Sequence, residues 1–263
     1  MAGEPLTAIA LAGGRLEPDF RAAGYDVANK AYLPVGGVTM LERVLTSLRG
    51  ASAVGRIRCV TQSDAYEAAF GARGAGLCDE VVTPGDGLIE SMIAGIAGLP
   101  SEGFVLVVAT DIPLVRSSDV DAFAARALST PCDVAYGFVR REPHESRFPT
   151  VRHTWVRLRE GTFCGGGVSA IRAGALAGLA DALRRIVAAR KSPLRLAAIF
   201  SVALLVRYVF GMLGIADAER RADAITGCRC RGIACDEPEL AVNVDCLDDL
   251  LTVERIVDEQ EKA

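Results

Sequence analysis

The chain has 263 residues and a formal net charge of −4, from 29 lysines and arginines against 33 acids. Hydrophobic residues make up 51% and charged residues 24%, enough for a core, which excludes a disordered or collagen-like chain. The lack of a basic excess, with aromatics at 6%, argues against a nucleic-acid partner. Eight irregularly spaced cysteines in a long chain fit free thiols and a reducing compartment.

Met1–Pro5 carries no cationic stretch ahead of the short apolar run Thr7–Ala12, so no secretory signal is visible and a cytoplasmic location is expected. Leu196–Val206 is uncharged for eleven residues before Arg207 interrupts it. A spanning helix needs about 20 apolar residues, so a buried helix and no membrane partner are expected.

Short β-branched runs alternate with helical patterns through the first half, the signature of parallel strands joined by crossover helices in an α/β fold. Strands are predicted at Thr7–Ala12, Arg56–Thr61, Glu80–Thr83, Phe104–Ala109 and Asp133–Val139. Helices are predicted at Thr39–Leu48, Asp64–Ala72, Leu88–Ala97 and Ser117–Leu128. Met40, Leu41, Val44, Leu45 and Leu48 recur at helical spacing and form the face expected on the sheet. Ser117 and Ser118 are candidate N-caps, with Asp121 adding charge that complements the helix dipole.

The middle reads differently. Arg140–Arg147 is polar, and Phe148–Arg159 alternates weakly, as in a hairpin over the site. Gly165-Gly166-Gly167 breaks the pattern before a short strand and a helix over Leu176–Ala189. Ala224–Gly232 reads as a connector, Leu240–Asp245 as a last strand and Leu247–Glu259 as a closing helix. The hairpin and Lys191–Ile215 together read as an inserted cap.

Three polar motifs stand at strand ends. Leu11-Ala12-Gly13-Gly14 leaves a strand, and glycines there let main-chain N–H groups approach phosphate oxygens. Lys30 downstream can neutralise a phosphate, although a plain tight turn explains the glycines as well. Neither the dinucleotide fingerprint nor the P-loop pattern is present. The apolar strand at 104–109 delivers Asp111 to its C-terminal end, where Pro113 turns the chain away. A carboxylate there suits a hard Mg²⁺ ion, or else caps a turn. In strand geometry Asn243 and Asp245 would share one face, making Asp245 a candidate second metal ligand. Asp248 and Asp249 fall in the next helix's first turn and serve its dipole.

Taken together, Leu11–Gly14 with Lys30, Thr110-Asp111-Ile112-Pro113 and Asn243–Leu250 resemble the NTP transferase family of nucleotidyltransferases. That group includes molybdenum cofactor guanylyltransferases and sugar-phosphate nucleotidylyltransferases. Gly85–Gly95 is similar to the nucleotide-contacting stretch of methylerythritol-phosphate cytidylyltransferases. The resemblance implies a Rossmann-like α/β/α sandwich of the nucleotide-diphospho-sugar-transferase type, mostly parallel, with an inserted hairpin and helical cap. It implies one domain over 1–263, with an NTP-binding half (1–139), an acceptor-binding cap (140–232) and a closing strand and helix (233–263).

By the same resemblance, Leu11, Ala12, Gly13, Gly14, Arg15, Lys30 and Ser91 bind nucleotide, Lys30 and Asp111 are catalytic, and Asp111 and Asp245 hold Mg²⁺ or Mn²⁺. The implied reaction moves an NMP from an NTP to a phosphorylated or hydroxylated small-molecule acceptor with release of pyrophosphate, in a monomer or homodimer. The family's Arg-Met-Gly run is absent, Lys30 follows Gly14 by sixteen positions, and Gly165–Gly167 replaces a Gly-Gly-Asn run. Two alternatives stand beside this reading: a glycosyltransferase using a nucleotide sugar, and a nucleotide-binding module without turnover.

Three further features remain. His144 and His153 read as exposed loop histidines, or as contacts to an anionic acceptor beside Arg140, Arg141 and Arg147. Lys191 and Arg195 beside Pro193 are a similar candidate. Cys228, Cys230 and Cys235 lack zinc-knuckle spacing and read as structural thiols.

Overall fold

The computed structural model describes residues 4–189, 199 and 201–262. The chain enters through strand β1 (Leu6–Leu11), a short helix α1 (Pro18–Ala22), a ribbon of β2 (Pro34–Val35) and β3 (Val38–Thr39), and α2 (Met40–Gly50). It continues through β4 (Val54–Val60), α3 (Ser63–Phe70), α4 (Gly74–Leu77), β5 (Glu80–Val82), α5 (Leu88–Ile96), β6 (Phe104–Ala109) and α6 (Ser117–Ser129). Then follow β7 (Val134–Arg140), α7 (Arg141–Arg147), β8 (Val156–Leu158), β9 (Gly161–Arg172) and α8 (Leu176–Ala189). The described chain closes with α9 (Val202–Val209), α10 (Ile215–Thr226), β10 (Cys230–Cys235) and α11 (Leu247–Glu261).

The main sheet runs β10-β7-β9-β6-β1-β4-β5, with β8 on β9. β4 and β6 flank β1 in parallel, β5 continues beyond β4, and β10 is parallel to β7. β9 is antiparallel to both β6 and β7, so the sheet is mixed and mostly parallel. From β1 the chain steps outward to β4 and β5, then returns to place β6 on the other side. That reversal opens a crevice at the carboxyl ends of β1 and β6, the usual ligand position in open α/β sheets.

Period-two alternation builds the layers. Ala8, Ala10, Leu106, Val108, Ile57 and Cys59 point into one cluster, shared with Leu41, Val44 and Leu45 of α2 and Phe123 of α6. Ile9, Val60, Val105 and Val107 point the other way, against Met92 and Ile96 of α5 and Leu179 of α8. A third cluster joins Leu16, Phe20 and Leu33 to Val242, Val244 and Leu250.

Several expectations are corrected. Leu240–Asp245 is not a strand: Pro238–Ala241 is a 3₁₀ turn, and the edge beside β7 is taken by β10. Ala224–Gly232 is the end of α10 and the start of β10, not a connector. Arg140–Arg147 is mostly helical, and Gly165–Gly167 lies inside β9 instead of breaking it.

At α6 neither serine caps. The Asp119 carboxylate accepts from Arg116 N at 2.9 Å, Ser117 Oγ donates to Ser47 C=O at 2.8 Å, and Asp121 accepts from Ala53 N at 2.8 Å. Residues 202–209, expected to be a buried helix, contain no buried side chain. The expectation for 191–198, including Lys191 and Arg195, lies outside the described residues. Among the described residues, no helix is long and apolar enough to cross a membrane.

Candidate functional site

Main-chain pairing holds β1 up to the glycines, since Ala12 N donates to Val60 C=O at 3.0 Å. A Cβ at Gly13 would sit 3.1 Å from Pro84 Cβ and 3.5 Å from Ser91 Oγ, so a side chain there would have to displace Pro84 by a few tenths of an ångström. Gly14 has φ of +118°, a conformation that favours glycine. Ser91 is buried in α5, and its hydroxyl donates to Gly85 C=O at 3.3 Å. Leu11–Gly14 and Gly85–Ser91 therefore face one another. Arg15 is exposed beside the turn and pairs with no acid among the described residues.

The sixteen positions between Gly14 and Lys30 accommodate α1, whose Phe20 anchors in the third cluster. Lys30 nevertheless returns to the crevice because Asn29 ties the chain back. The Asn29 side chain is 1% exposed; its Nδ2 donates to Ala12 C=O and its Oδ1 accepts from Ala31 N, both at 2.9 Å. On the other side, Thr110 Oγ1 donates to Leu11 C=O at 2.8 Å and pins the end of β6 to the end of β1. The sequence motifs leave out Asn29 and include Thr110 without a role; the one signal of both is a polar residue directly before a charged one.

Three sequence-predicted residues meet at one point. Lys30 Nζ lies 2.7 Å from Asp111 Oδ2, 2.8 Å from Asp245 Oδ1 and 3.2 Å from Val244 C=O. Burial opposes the ammonium charge, but Asp111 first and Asp245 second outweigh it and raise the Lys30 pKa above its ordinary value. Asp245 also accepts from Asn243 Nδ2, so these two neighbours do cooperate, though from a loop. Asp249 accepts from Asp245 N and Cys246 N at 3.0 and 3.1 Å, which makes it the cap of α11.

Neither histidine is exposed, although His153 does lie in the loop after α7. His144 is fully buried, with its Nε2 2.9 Å from His153 Nε2 and its ring packed between Phe148 and Trp155. Burial, with His153 adding to it, pushes the His144 pKa down to about 4. Burial also lowers His153, against an upward pull from Asp249 and Asp245. Nor does Arg147 wait for an anion, because it pairs with buried Glu239 at 2.7 Å, which Arg116 reaches at 3.0 Å.

All eight cysteines are free thiols, and Cys230 Sγ contacts Thr226 Oγ1 at 3.4 Å. Burial raises the Cys228, Cys230 and Cys235 pKa values, which keeps the thiols protonated.

Among the described residues, no group of three or more His, Cys, Asp or Glu side chains is placed to hold a metal ion. Asp111 and Asp245 fit a divalent ion differently. Two carboxylates from distant segments already share one cation, the Lys30 ammonium, and both offer hard oxygen donors. Mg²⁺ commonly takes one or two carboxylates and completes its shell with waters and phosphates.

The MobA-like NTP transferase domain family matches residues 8–156. A hypothetical transferase from Thermus thermophilus is similar in structure at a TM-score of 0.81 and 31% identity, covering 94% of this chain and 99% of the other. A nucleotidyl transferase from Methanothermobacter is similar at 0.58 and 20% identity, over 98% and 100% of the two chains. A CMP:2-keto-3-deoxy-manno-octonic acid synthetase in complex with CTP aligns at 0.59 and 14% identity, over 98% and 100%, a likeness of fold alone. No curated protein is detectably similar in sequence. With more than half of its length matched and the crevice where the fold binds ligands, the chain belongs to the MobA-like NTP transferase domain family.

Proposed function

We propose that the chain transfers an NMP group from an NTP to the oxygen of a small-molecule acceptor, releasing pyrophosphate, with Mg²⁺ or Mn²⁺ held by Asp111 and Asp245. The observation that carries this reading is the convergence of Lys30, Asp111 and Asp245 at the mouth of the β1/β6 crevice, beside Gly13 and Gly14. An acceptor oxygen attacks the α-phosphorus, one P–O bond forms, and the bond to the bridging oxygen of the leaving pyrophosphate breaks. Charge accumulates on phosphoryl oxygens, so positioned cations and N–H donors supply most of the rate. Lys30 and Arg15 provide positive charge, and Gly13 and Gly14 let the main chain come close. Ser91 keeps Gly85–Gly87 folded against the glycine turn, which orients the nucleotide side. When bound, the divalent ion would act as a Lewis acid on phosphate oxygens.

The test is pyrophosphate release across a panel of NTPs and acceptors, with and without Mg²⁺. Release that needs both the metal and an acceptor supports the reading. Transfer from a nucleotide sugar with nucleoside diphosphate as product, or NTP binding without turnover on any acceptor, removes it.

A further inference from the structure

A cavity of about 760 Å³ lies between the sheet and helices α5, α8, α9 and α10. Its wall is almost entirely carbon, with Met92, Val107, Leu183, Leu205 and Ile225 typical of it. The space is partly open to solvent, and a concave apolar site of this size matches a ligand pocket. An NTP suits that chemistry poorly, because a triphosphate and a base need many polar partners, and only a few polar side chains, such as Ser169, Thr226 and Arg221, line the wall.

The position of the cavity joins it to the crevice. Leu11 and Ala109, the last residues of β1 and β6, both line it. Leu11 lies two residues before Gly13-Gly14, and Ala109 lies two residues before Asp111. Along β6 the cavity-facing residues Val107 and Ala109 alternate with those of the opposite layer, so the cavity wall runs up to the strand end that carries Asp111.

Helix α9 supplies a second, separate observation. Leu204, Leu205 and Tyr208 line the cavity, while Val202, Val209 and Phe210 are 64%, 77% and 71% exposed. A helix apolar toward both a cavity and solvent is unusual for a soluble surface, and such faces mark contact with apolar partners.

We propose that the cavity holds the apolar chain of an amphiphilic acceptor whose phosphate head reaches Lys30 and Asp111. This rests on the nucleotidyl-transfer reading and names the acceptor class for it. A phosphate monoester brings an oxygen that is already ionised, which suits a site whose two carboxylates are both engaged by Lys30. That oxygen bonds to the α-phosphorus, the bond to the β-phosphate oxygen breaks, and pyrophosphate leaves with the electron pair. The product is a nucleoside diphosphate esterified to the apolar chain, and no oxidant or further reactant is needed.

The test uses the full chain, stripped of bound lipid, with butyl, octyl, dodecyl and hexadecyl phosphate as probes. Affinity is measured calorimetrically without NTP, and pyrophosphate release is measured with it. Binding should tighten by about fourfold per added methylene until the cavity is filled. Ala222→Trp, and independently Leu183→Trp, place bulk in the cavity and should cut the preference for dodecyl over butyl phosphate at least tenfold. Delivery of dodecyl phosphate as monomer and in phosphatidylcholine vesicles separates a free amphiphile from one drawn out of a bilayer, and turnover in either form supports the proposal.

Affinity and turnover that ignore chain length overturn it. So does a preference for long chains that survives both substitutions in folded protein. Chain-length-dependent binding with no pyrophosphate from any NTP upholds the cavity's ligand and instead rejects nucleotidyl transfer.

Discussion

The backbone amide of Val244 donates to the Asp111 carbonyl at 2.9 Å, joining the segment after β10 to the end of β6. The bond sits one residue before Asp245, so the main chain itself brings the two carboxylates together. Lys30, 215 positions before Asp245, then bridges the two carboxylates. A hydrogen bond that needs no side chain makes the pairing insensitive to substitution at either acid.

For that reason, Asp111→Asn and Asp245→Asn should each leave the fold intact while lowering pyrophosphate release by roughly 10²–10³. Circular dichroism and a coupled pyrophosphate assay check this. Unchanged rates in a folded Asp111→Asn variant would remove that residue from the mechanism.

Lys30 and a divalent ion compete for the same oxygens. Lys30→Met should weaken turnover but strengthen the stabilising effect of Mg²⁺, because the carboxylates lose their resident cation. At ten times Kd, linkage gives about 1.4 kcal/mol, a rise of roughly 3–6 °C in Tm. Thermal melts with and without Mg²⁺ should show a larger shift for the variant than for the wild type; an equal or smaller shift counts against a shared site.

Asn29 holds Lys30 in register by satisfying Ala12 C=O and Ala31 N. Asn29→Ala leaves a carbonyl and an amide without partners and should cost about 1–3 kcal/mol. Urea unfolding measures it, and kcat should drop as Lys30 loses its anchor. A stability change within ±0.5 kcal/mol would show that the anchor is dispensable.

Gly167 is a packing position. A Cβ there would meet Ile112 Cγ2 at 2.8 Å and Cδ1 at 3.0 Å, next to Asp111. Gly167→Ala should destabilise by about 1–3 kcal/mol through overpacking. Ile112→Val in the same chain should recover part of both stability and turnover, which a double-mutant cycle would reveal.

His144 predicts a pH dependence. Its folded pKa of about 4 lies below the ordinary value of 6.5, so the unfolded chain binds the extra proton first. Stability is therefore complete above pH ~6.5 and falls as pH drops toward 4, by up to about 3 kcal/mol. Asp133, held down to about 2 by Arg229, acts only at lower pH, so the two windows separate. His144→Gln should flatten the slope between pH 6.5 and 4 in denaturant unfolding; an unchanged slope would assign it to other groups.

Much of this was legible in the residues alone. The predicted strand Phe104–Ala109 matches β6 to the residue, and the predicted helix Leu88–Ala97 differs from α5 by one position. Both are long apolar patterns bounded by Gly, Pro or Asp, and burial on a sheet or helix face follows directly from such periods. Leu240–Asp245 is the opposite case. Its buried run, Leu240 to Val242 and Val244, looks like a strand, yet its amides bond to local carbonyls and to Asp111. Apolar content alone does not say which edge a segment will pair with.

His144 fails for a similar reason. Its neighbours in sequence are arginines and glutamates, but the chain folds Phe148 and Trp155 around it.

By itself the sequence determined the alternation of strands and helices, the apolar face of each, and the polar residues that end β1 and β6, because these depend on neighbours within a few positions. Only the tertiary structure decided that Lys30, Asp111 and Asp245 share one point, that Asn29 and Thr110 hold them there, and that an apolar cavity opens beside them. Those relationships depend on strand order and on single main-chain bonds between distant segments, which no local period encodes.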